Sequence, residues 1–541
     1  VNAVCAPSRA TLLTGRHFLR TGVSHVHGGK DYLHKNERTL GDVFRSAGWK
    51  TGMWGKWHLG RGNGYDPWQR GFDEAFAAEL YTHENCLGQL NANPISTHHW
   101  ADTVIVDHAI EFLHKDPGTP KLVYLPTMTP HTPLEAPQSW IHFHRERGLT
   151  EGLATLFAMV SFLDEQIGRL IEFLEKRNLL EDTLLIFTSD NGPAINRGIL
   201  SDEERYLRKS HSPRRGWKGD LWENGVRAPL FLHWPKHLEK GVVQTPLDQV
   251  DLFPTILDWC NITHPSTYPE LDGKSRREVF EAPSKVLPQQ QPIFNYVHPG
   301  WITARRPYTP KGIPKEYNPL SEEAKLELKA KEQCISVREG RYKLLLNPLP
   351  PEENKTPERI LIDLYDDPGE TTNLSENHPE ISQQMETLLA DWFQEIKEAP
   401  HSFSSPEFKL VTDKTTQIAA SRPNRTEGNL QNTVSYLAGW SQVNDLASYR
   451  ILAENDTVYA ISLSWIDPPP KGFKFELSYS GESIFCESTG DHEFNIGSLV
   501  VRETVSIMQL ELRSINSEID PTAAQEFKLK WIEFTPVSER S

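Results

Sequence analysis

The chain has 541 residues, more than one ordinary domain needs, so a large core and at least one appended module are expected. With 38% hydrophobic and 24% charged residues its composition is that of a globular protein, and no apolar run approaches the ~18 residues of a membrane span. The formal charge of −16 is spread along the sequence without a basic run, which argues against nucleic acid as a partner and against an integral membrane segment.

The first readable element is Cys5-Ala6-Pro7-Ser8-Arg9-Ala10-Thr11-Leu12-Leu13-Thr14-Gly15-Arg16. Pro7 and Ser8 suit a first helical turn, Ala10, Leu12 and Leu13 continue it and Gly15 stops it, so Cys5 falls at a helix N-terminus. Free backbone N–H groups there favour an anion beside the cysteine. Thr39 to Ala47 reads as a short helix and Lys50 to Trp54 as a strand, which runs into Gly55-Lys56-Trp57-His58-Leu59-Gly60. If that segment is extended, Lys56 and His58 share a side. Lys121 to Leu125 reads as a buried strand before a proline-rich loop holding His131. Leu156, Val160, Leu163, Ile167, Leu170 and Leu174 recur at helical spacing and predict a long amphipathic helix packed on a sheet. Thr183 to Thr188 reads as another strand, ending at Asp190-Asn191-Gly192, and the loop Arg215 to Asp220, with Lys218, precedes a strand from Pro229 to Trp234.

Helices alternating with short apolar strands predict an α/β fold with a mostly parallel central sheet sandwiched by helices. Ligands bind such sheets outside the carboxyl ends of the strands, which is where Lys56, His131 and Asp190 fall. The expected division is a catalytic α/β domain over 1–285, a small α+β subdomain over 286–400, a polar linker over 401–430 and a β-sandwich-like module over 431–541. Within the subdomain, helices are expected from Glu322 to Lys331 and from about Glu380 to Lys397. The last module carries no recognised motif and reads more as a packing appendage than as a glycan-binding module, although exposed tryptophans would support the latter. The five cysteines, at 5, 86, 260, 334 and 486, have neither metal-ligand spacing nor a disulfide framework. Asp190 and Asn191 offer the hard oxygen atoms that hold Ca²⁺ or Mg²⁺, although Asp-Asn-Gly is also a common turn.

Cys5-x-Pro7-Ser8-Arg9 followed by Leu13-Thr14-Gly15-Arg16 resembles the activation sequence of the type I sulfatases, members of the alkaline phosphatase superfamily. The resemblance covers roughly residues 1 to 400; Ile360 to Glu370, Asn373 and Leu374 resemble the family's C-terminal subdomain. It implies a sulfuric ester hydrolase in which a formylglycine-generating maturation enzyme oxidises Cys5 to formylglycine. Arg9 would then hold the aldehyde hydrate, Lys56 would bridge nucleophile and sulfate, and His58 would contact the hydrate hydroxyl. His131 would lie near the ester oxygen, and Lys218 would bind sulfate from the opposite side. Asp190, Asn191 and a Cys5-derived oxygen would ligate Ca²⁺, with Mg²⁺ as the other choice. The family takes two further adjacent Asp from a strand upstream of the activation sequence. Only four residues precede Cys5 here, so a missing N-terminal segment is expected, and the opening Val1 fits that expectation. The implied substrate is a sulfated carbohydrate, with an aryl sulfate less favoured, and the implied compartment is periplasmic, secreted or lysosomal. Two other readings are a formylglycine-dependent phosphodiesterase or phosphonate hydrolase, and a non-catalytic glycan-binding relative.

Overall fold

The computed structural model describes residues 1–26, 29–62, 64–194, 201, 204, 214–289, 291–297, 322–348, 359–404, 406–421, 423, 425–432, 436–441, 443–453, 457–479, 482–501, 508–515 and 526–537. Its centre is strand β1 (Lys50–Gly55), whose residues 51–55 are all buried. Alternation along a strand sends neighbouring side chains to opposite faces. Met53 accordingly joins a core containing Val43 and Phe44 of helix α2 (Leu40–Ser46), and Ala6, Ala10 and Leu13 of helix α1 (Cys5–Thr14). Trp54 joins the other core, with Ile105, Ala109 and Phe112 of helix α3 (Ala101–His114). Helix α2 starts at a reciprocal capping box in which Thr39 accepts from the Asp42 amide and Asp42 accepts from that of Thr39.

β1 pairs in parallel with β2 (Glu74–Ala78) on one side and with β5 (Lys121–Tyr124) on the other. Two antiparallel strands, β3 (Leu87–Leu90) and β4 (Asn93–Ser96), extend the sheet beyond β2 in the order β4-β3-β2-β1-β5. Parallel pairing among the described residues is thus concentrated in β2-β1-β5, and β6 (Leu185–Thr188) forms a separate antiparallel ladder with β7 (Leu230–His233). The long helix α5 (Glu151–Lys176) packs on α3 and on helix α4 (Gln138–Arg145).

β8 (Ile293–Val297), β9 (Cys334–Glu339), β10 (Tyr342–Leu346) and β11 (Arg359–Asp363) make an antiparallel sheet in the order β11-β10-β9-β8. One face carries Val337 and Leu344 toward Leu389 and Phe393 of the helix Pro379–Lys397. The other face carries Cys334, Leu345 and Ile362 toward Ala3, Leu221 and Trp222, so this sheet backs the segment that holds Lys218. Where one helix was expected over 322–331, there is a helix Glu322–Glu327 and then a 3-10 turn Ala330–Glu332.

The last module is two six-stranded sheets around a shared core. Its strands start earlier than expected: Phe408–Lys409, Thr416–Ala419 and Arg425–Glu427 all pair within it, so most of the stretch read as a linker belongs to the sandwich. Trp440, Trp465 and Trp531 are buried in this core, so they do not offer the exposed rings that would support glycan binding. The module docks through Phe408 on Tyr32 and Tyr65, with the Tyr65 hydroxyl bonded to the backbone of Glu407. Among the described residues no helix is long and apolar enough to cross a membrane.

Candidate active site

Cys5 opens α1 from an extended Val4, and the turn before it is clamped from within the helix. The Asn2 amide donates to Ser8 Oγ (2.8 Å), which donates back to the Asn2 carbonyl (3.2 Å), while the Asn2 side chain donates to Thr11 (3.2 Å). Ser8 and Thr11 of the motif therefore fix the approach to Cys5. The helix ends at Gly15 with φ 65°, a left-handed cap whose N–H returns to the Thr11 carbonyl.

Lys218 Nζ donates to Cys5 Sγ at 3.1 Å and lies 3.4 Å from His131 Nε2. Burial alone would raise the pKa of the thiol. The charges of Lys218 and Lys56 outweigh that and hold it well below its ordinary value. An ammonium about 3 Å away favours the thiolate by ~5 kcal/mol at an effective dielectric of about 20, which is why the cations win. Lys56 is itself buried and its pKa is lowered by that burial, the Cys5 charge acting in the opposite sense. Its backbone N–H bonds the Pro126 carbonyl (2.7 Å), just past β5. Gly55 permits this approach, because a Cβ there would sit 2.2 Å from the Pro126 oxygen.

The segment after β1 is not extended: His58 has φ 59°, in the left-handed region. That turn brings its ring to Cys5 while Nε2 meets the Val26 carbonyl at 3.0 Å. A carbonyl only accepts, so Nε2 carries the proton; burial drops the His58 pKa to about 3 and keeps the ring neutral. Nδ1 is then a buried acceptor that meets no hydrogen-bond donor among the described residues. His131 is held the other way round, with Nδ1 donating to the Thr132 carbonyl (2.7 Å) and Nε2 toward Lys218.

Arg9, one turn along α1, ties three strand ends together. It donates to the Lys56 carbonyl (2.8 Å) after β1, to Tyr124 (3.4 Å) at the end of β5, and through Nε and Nη2 to Asp190 Oδ2 (3.0 and 2.7 Å) after β6. Burial disfavours its charge, but Tyr124 and Asp190 push the pKa up. The structure therefore brings Cys5, Arg9, Lys56, His58, His131, Lys218 and Asp190 together beyond the ends of β1, β5 and β6. Asn191 follows Asp190, with its amide nitrogen donating to the Gly192 carbonyl and its buried Oδ1 meeting no hydrogen-bond donor among the described residues.

Several supporting residues were not visible in the sequence. Tyr124 is an ordinary strand residue until it meets Arg9. Asp102 is the first acidic residue of α3, yet its carboxylate accepts from the amides of Met128 and Thr129 and so positions the His131 loop. Glu223 and Glu370 flank the Lys343 ammonium at 3.0 Å each, and Glu370 also accepts from the Glu223 amide, five residues past Lys218. A buried lysine with two carboxylates leaves no local sequence signal, because its partners lie 120 and 27 residues away.

The family model of the sulfatases matches residues 1–262. Arylsulfatase G of Canis lupus familiaris is 29% identical over 326 residues, covering 51% of this chain and 59% of that protein. An ulvan-active sulfatase of Formosa agariphila is 27% identical over 321 residues, covering 54% and 59%. The crystal structure of the sulfatase PsFucS1 from Pseudoalteromonas sp. superposes with TM-score 0.56 at 20% identity, over 74% of this chain and 82% of that one, and shares its fold. Residues 1–262 thus form a sulfatase-like region, and the chain has an alkaline phosphatase-like fold. It spans about three fifths of the length of the curated relatives it matches.

Sulfatases generally use a formylglycine and a divalent cation. The surroundings of Cys5 fit the first: a small oxygen-bearing group there would meet Lys218 and satisfy the orphaned His58 Nδ1. For the cation the donor type fits and the number does not. Asn191 Oδ1 is an orphaned hard acceptor, but Asp190 is engaged by Arg9, and no group of three or more His, Cys, Asp or Glu among the described residues could hold a metal.

Proposed function

We propose that the protein hydrolyses sulfate esters of a carbohydrate through a formylglycine formed at Cys5. The observation that carries this is the Cys5 side chain at a helix start, in contact with Lys218 and ringed by Lys56, His58, His131 and Arg9. As a hydrated aldehyde, residue 5 supplies a hydroxyl to attack sulfur and releases sulfate by returning to the aldehyde.

The remaining chemistry belongs to the chain's own side chains. Lys218 and Lys56 place two positive charges where the sulfate oxygens gain charge, and burial strengthens both. His131 donates Nδ1–H to the Thr132 carbonyl, so its Nε2 has to take up a second ring proton before it can pass that proton to the ester oxygen as the S–O bond breaks. His58 Nδ1, the bare acceptor, takes a proton from a hydroxyl on residue 5. Arg9 holds the end of α1 against the three strand termini, so that these groups keep their separations. Asp190 and Asn191 are the described residues that would hold a hard cation such as Ca²⁺. The carbohydrate reading is supported by the likeness to the ulvan-active sulfatase.

The test is release of inorganic sulfate from sulfated oligosaccharides by protein from a maturation-competent host, with peptide mass spectrometry of the Cys5 segment. Sulfate release with an aldehyde at residue 5 supports the reading. Release with an unmodified thiol overturns the nucleophile, and cleavage of phosphonate or phosphate diesters in place of sulfate esters overturns the substrate class.

A further inference from the structure

The loop between β2 and β3 presents Tyr81 at the mouth of the site. Its ring centroid lies 4.8 Å from that of His131 at a tilt of 32°, and the residue is 37% exposed. Its backbone sits at φ 69°, where a bulky residue is uncommon and where such conformations cluster at ligand sites. The conformation is held by its neighbours. The His83 carbonyl accepts from the Ala101 amide (2.7 Å), and His83 Nε2 meets the His131 carbonyl (2.8 Å). The amides of Cys86 and Thr97 bond across to His99 and Cys86. The same short loop thus supports the His131 backbone through His83 and sets an aromatic ring beside the imidazole.

We infer that Tyr81 is a stacking platform for the sugar ring that carries the sulfate, and that it selects a pyranose-type leaving group over a small or acyclic one. This rests on the sulfatase reading above. Lys218 Nζ lies 3.1 Å from Cys5 and 3.4 Å from His131, so a sulfate held at Lys218 has its bridging oxygen near His131 and its alcohol portion beyond it, beside Tyr81. One face of a sugar ring is a patch of weakly positive C–H groups, and the negative face of an aromatic ring attracts it in the same way as it attracts the edge of another ring. A binding contact made equally in the ground state and the transition state changes KM and leaves kcat alone.

The experiment compares wild type, Tyr81→Ala and Tyr81→Phe in the matured protein, with melting curves to confirm folding. Kinetics on a sulfated oligosaccharide are paired with calorimetric titration of the desulfated product, which needs no turnover. For Tyr81→Ala, KM and the product Kd should both rise about tenfold, the scale of one aromatic contact, with kcat unchanged. Tyr81→Phe should behave as wild type. A fall in kcat at unchanged KM, or no change in either constant, overturns the platform. If wild type binds the desulfated sugar in a Tyr81-dependent way but releases no sulfate, the platform stands and the hydrolase reading fails.

Discussion

Two separate ladders deliver side chains to the same site, and they are built differently. β1 is paired on both sides and buried from Thr51 to Gly55, and it ends in Lys56. β6 pairs only with β7 among the described residues, leaves Phe187 and Phe231 at 44% and 64% exposure, and ends in Asp190. Lys56 and Lys218, the two lysines of the proposed sulfate site, therefore rest on doubly packed supports, β1 for Lys56 and the β8–β11 sheet for the Lys218 segment. Asp190 is fixed less by its own strand than by the Arg9 guanidinium reaching across from α1. Position in the sheet, more than residue type, separates the rigid half of the site from the half that depends on a single ion pair.

The largest effect is expected where charge meets the transition state. Lys218→Ala should lower turnover by on the order of 10²- to 10³-fold with the melting temperature nearly unchanged, since the loss of one preorganised donor has that scale. Steady-state kinetics and a melting curve on the same preparation check this, and kinetics equal to wild type would remove Lys218 from the sulfate site.

Next comes the support behind Lys218. Lys343→Met would leave Glu223 and Glu370 buried without their cation, and breaking such a group from one side costs about 3–5 kcal/mol. The pH dependence carries a sign. Burial opposes ionisation of Glu223, but Lys343 and Arg338 prevail and bring its pKa down to about 2 from 4.5. A depressed carboxylate contributes stability that is complete above its unfolded value and lost as pH falls through the folded one. Wild type should therefore lose stability between about pH 4.5 and 2, by up to ~3 kcal/mol, offset in part by Glu370, which burial pushes up. In Lys343→Met, Glu370 loses the cation that opposes its burial while Glu223 keeps only Arg338 and Arg227, so the loss of stability on acidification should shrink. Urea titrations at several pH values decide between the two slopes.

The contrast between the ladders also marks where the sequence is legible. Periodicity gave α5, and strand ends gave Lys56, His131 and Asp190, because those signals are local. The strands Phe408–Lys409 and Thr416–Ala419 are two and four residues long and exist through partners at Ile451 and Phe534, so no window around them identifies them. The burial of Trp465 was readable: it alternates with Tyr459, Ile461 and Leu463, all inward. The left-handed turn at His58 was not, since nothing in Gly-Lys-Trp-His-Leu-Gly forbids an extended chain.

Met53→Ala tests the buried ladder: with Met53 fully enclosed between α1 and α2, the loss should be ~2–5 kcal/mol by urea denaturation. A loss below ~1 kcal/mol would mean that β1 is not the packed centre of the domain.

The smallest effect should come from the other ladder, and it is the most discriminating. Phe231→Ser removes a side chain that is 64% exposed and whose ring lies 6.1 Å from that of Phe187. If that pair faces solvent, the substitution should change stability by no more than ~0.5 kcal/mol, as surface changes do, and should leave the Arg9–Asp190 tie untouched. Two neighbouring exposed phenylalanines on one ladder are also what a covered face looks like when its cover is elsewhere. A loss above ~1 kcal/mol in the natural protein would show that this face is packed in solution. The end of β6 would then owe its position to that packing as well as to Arg9, and the difference between the two halves of the site would narrow to the identity of what covers each strand.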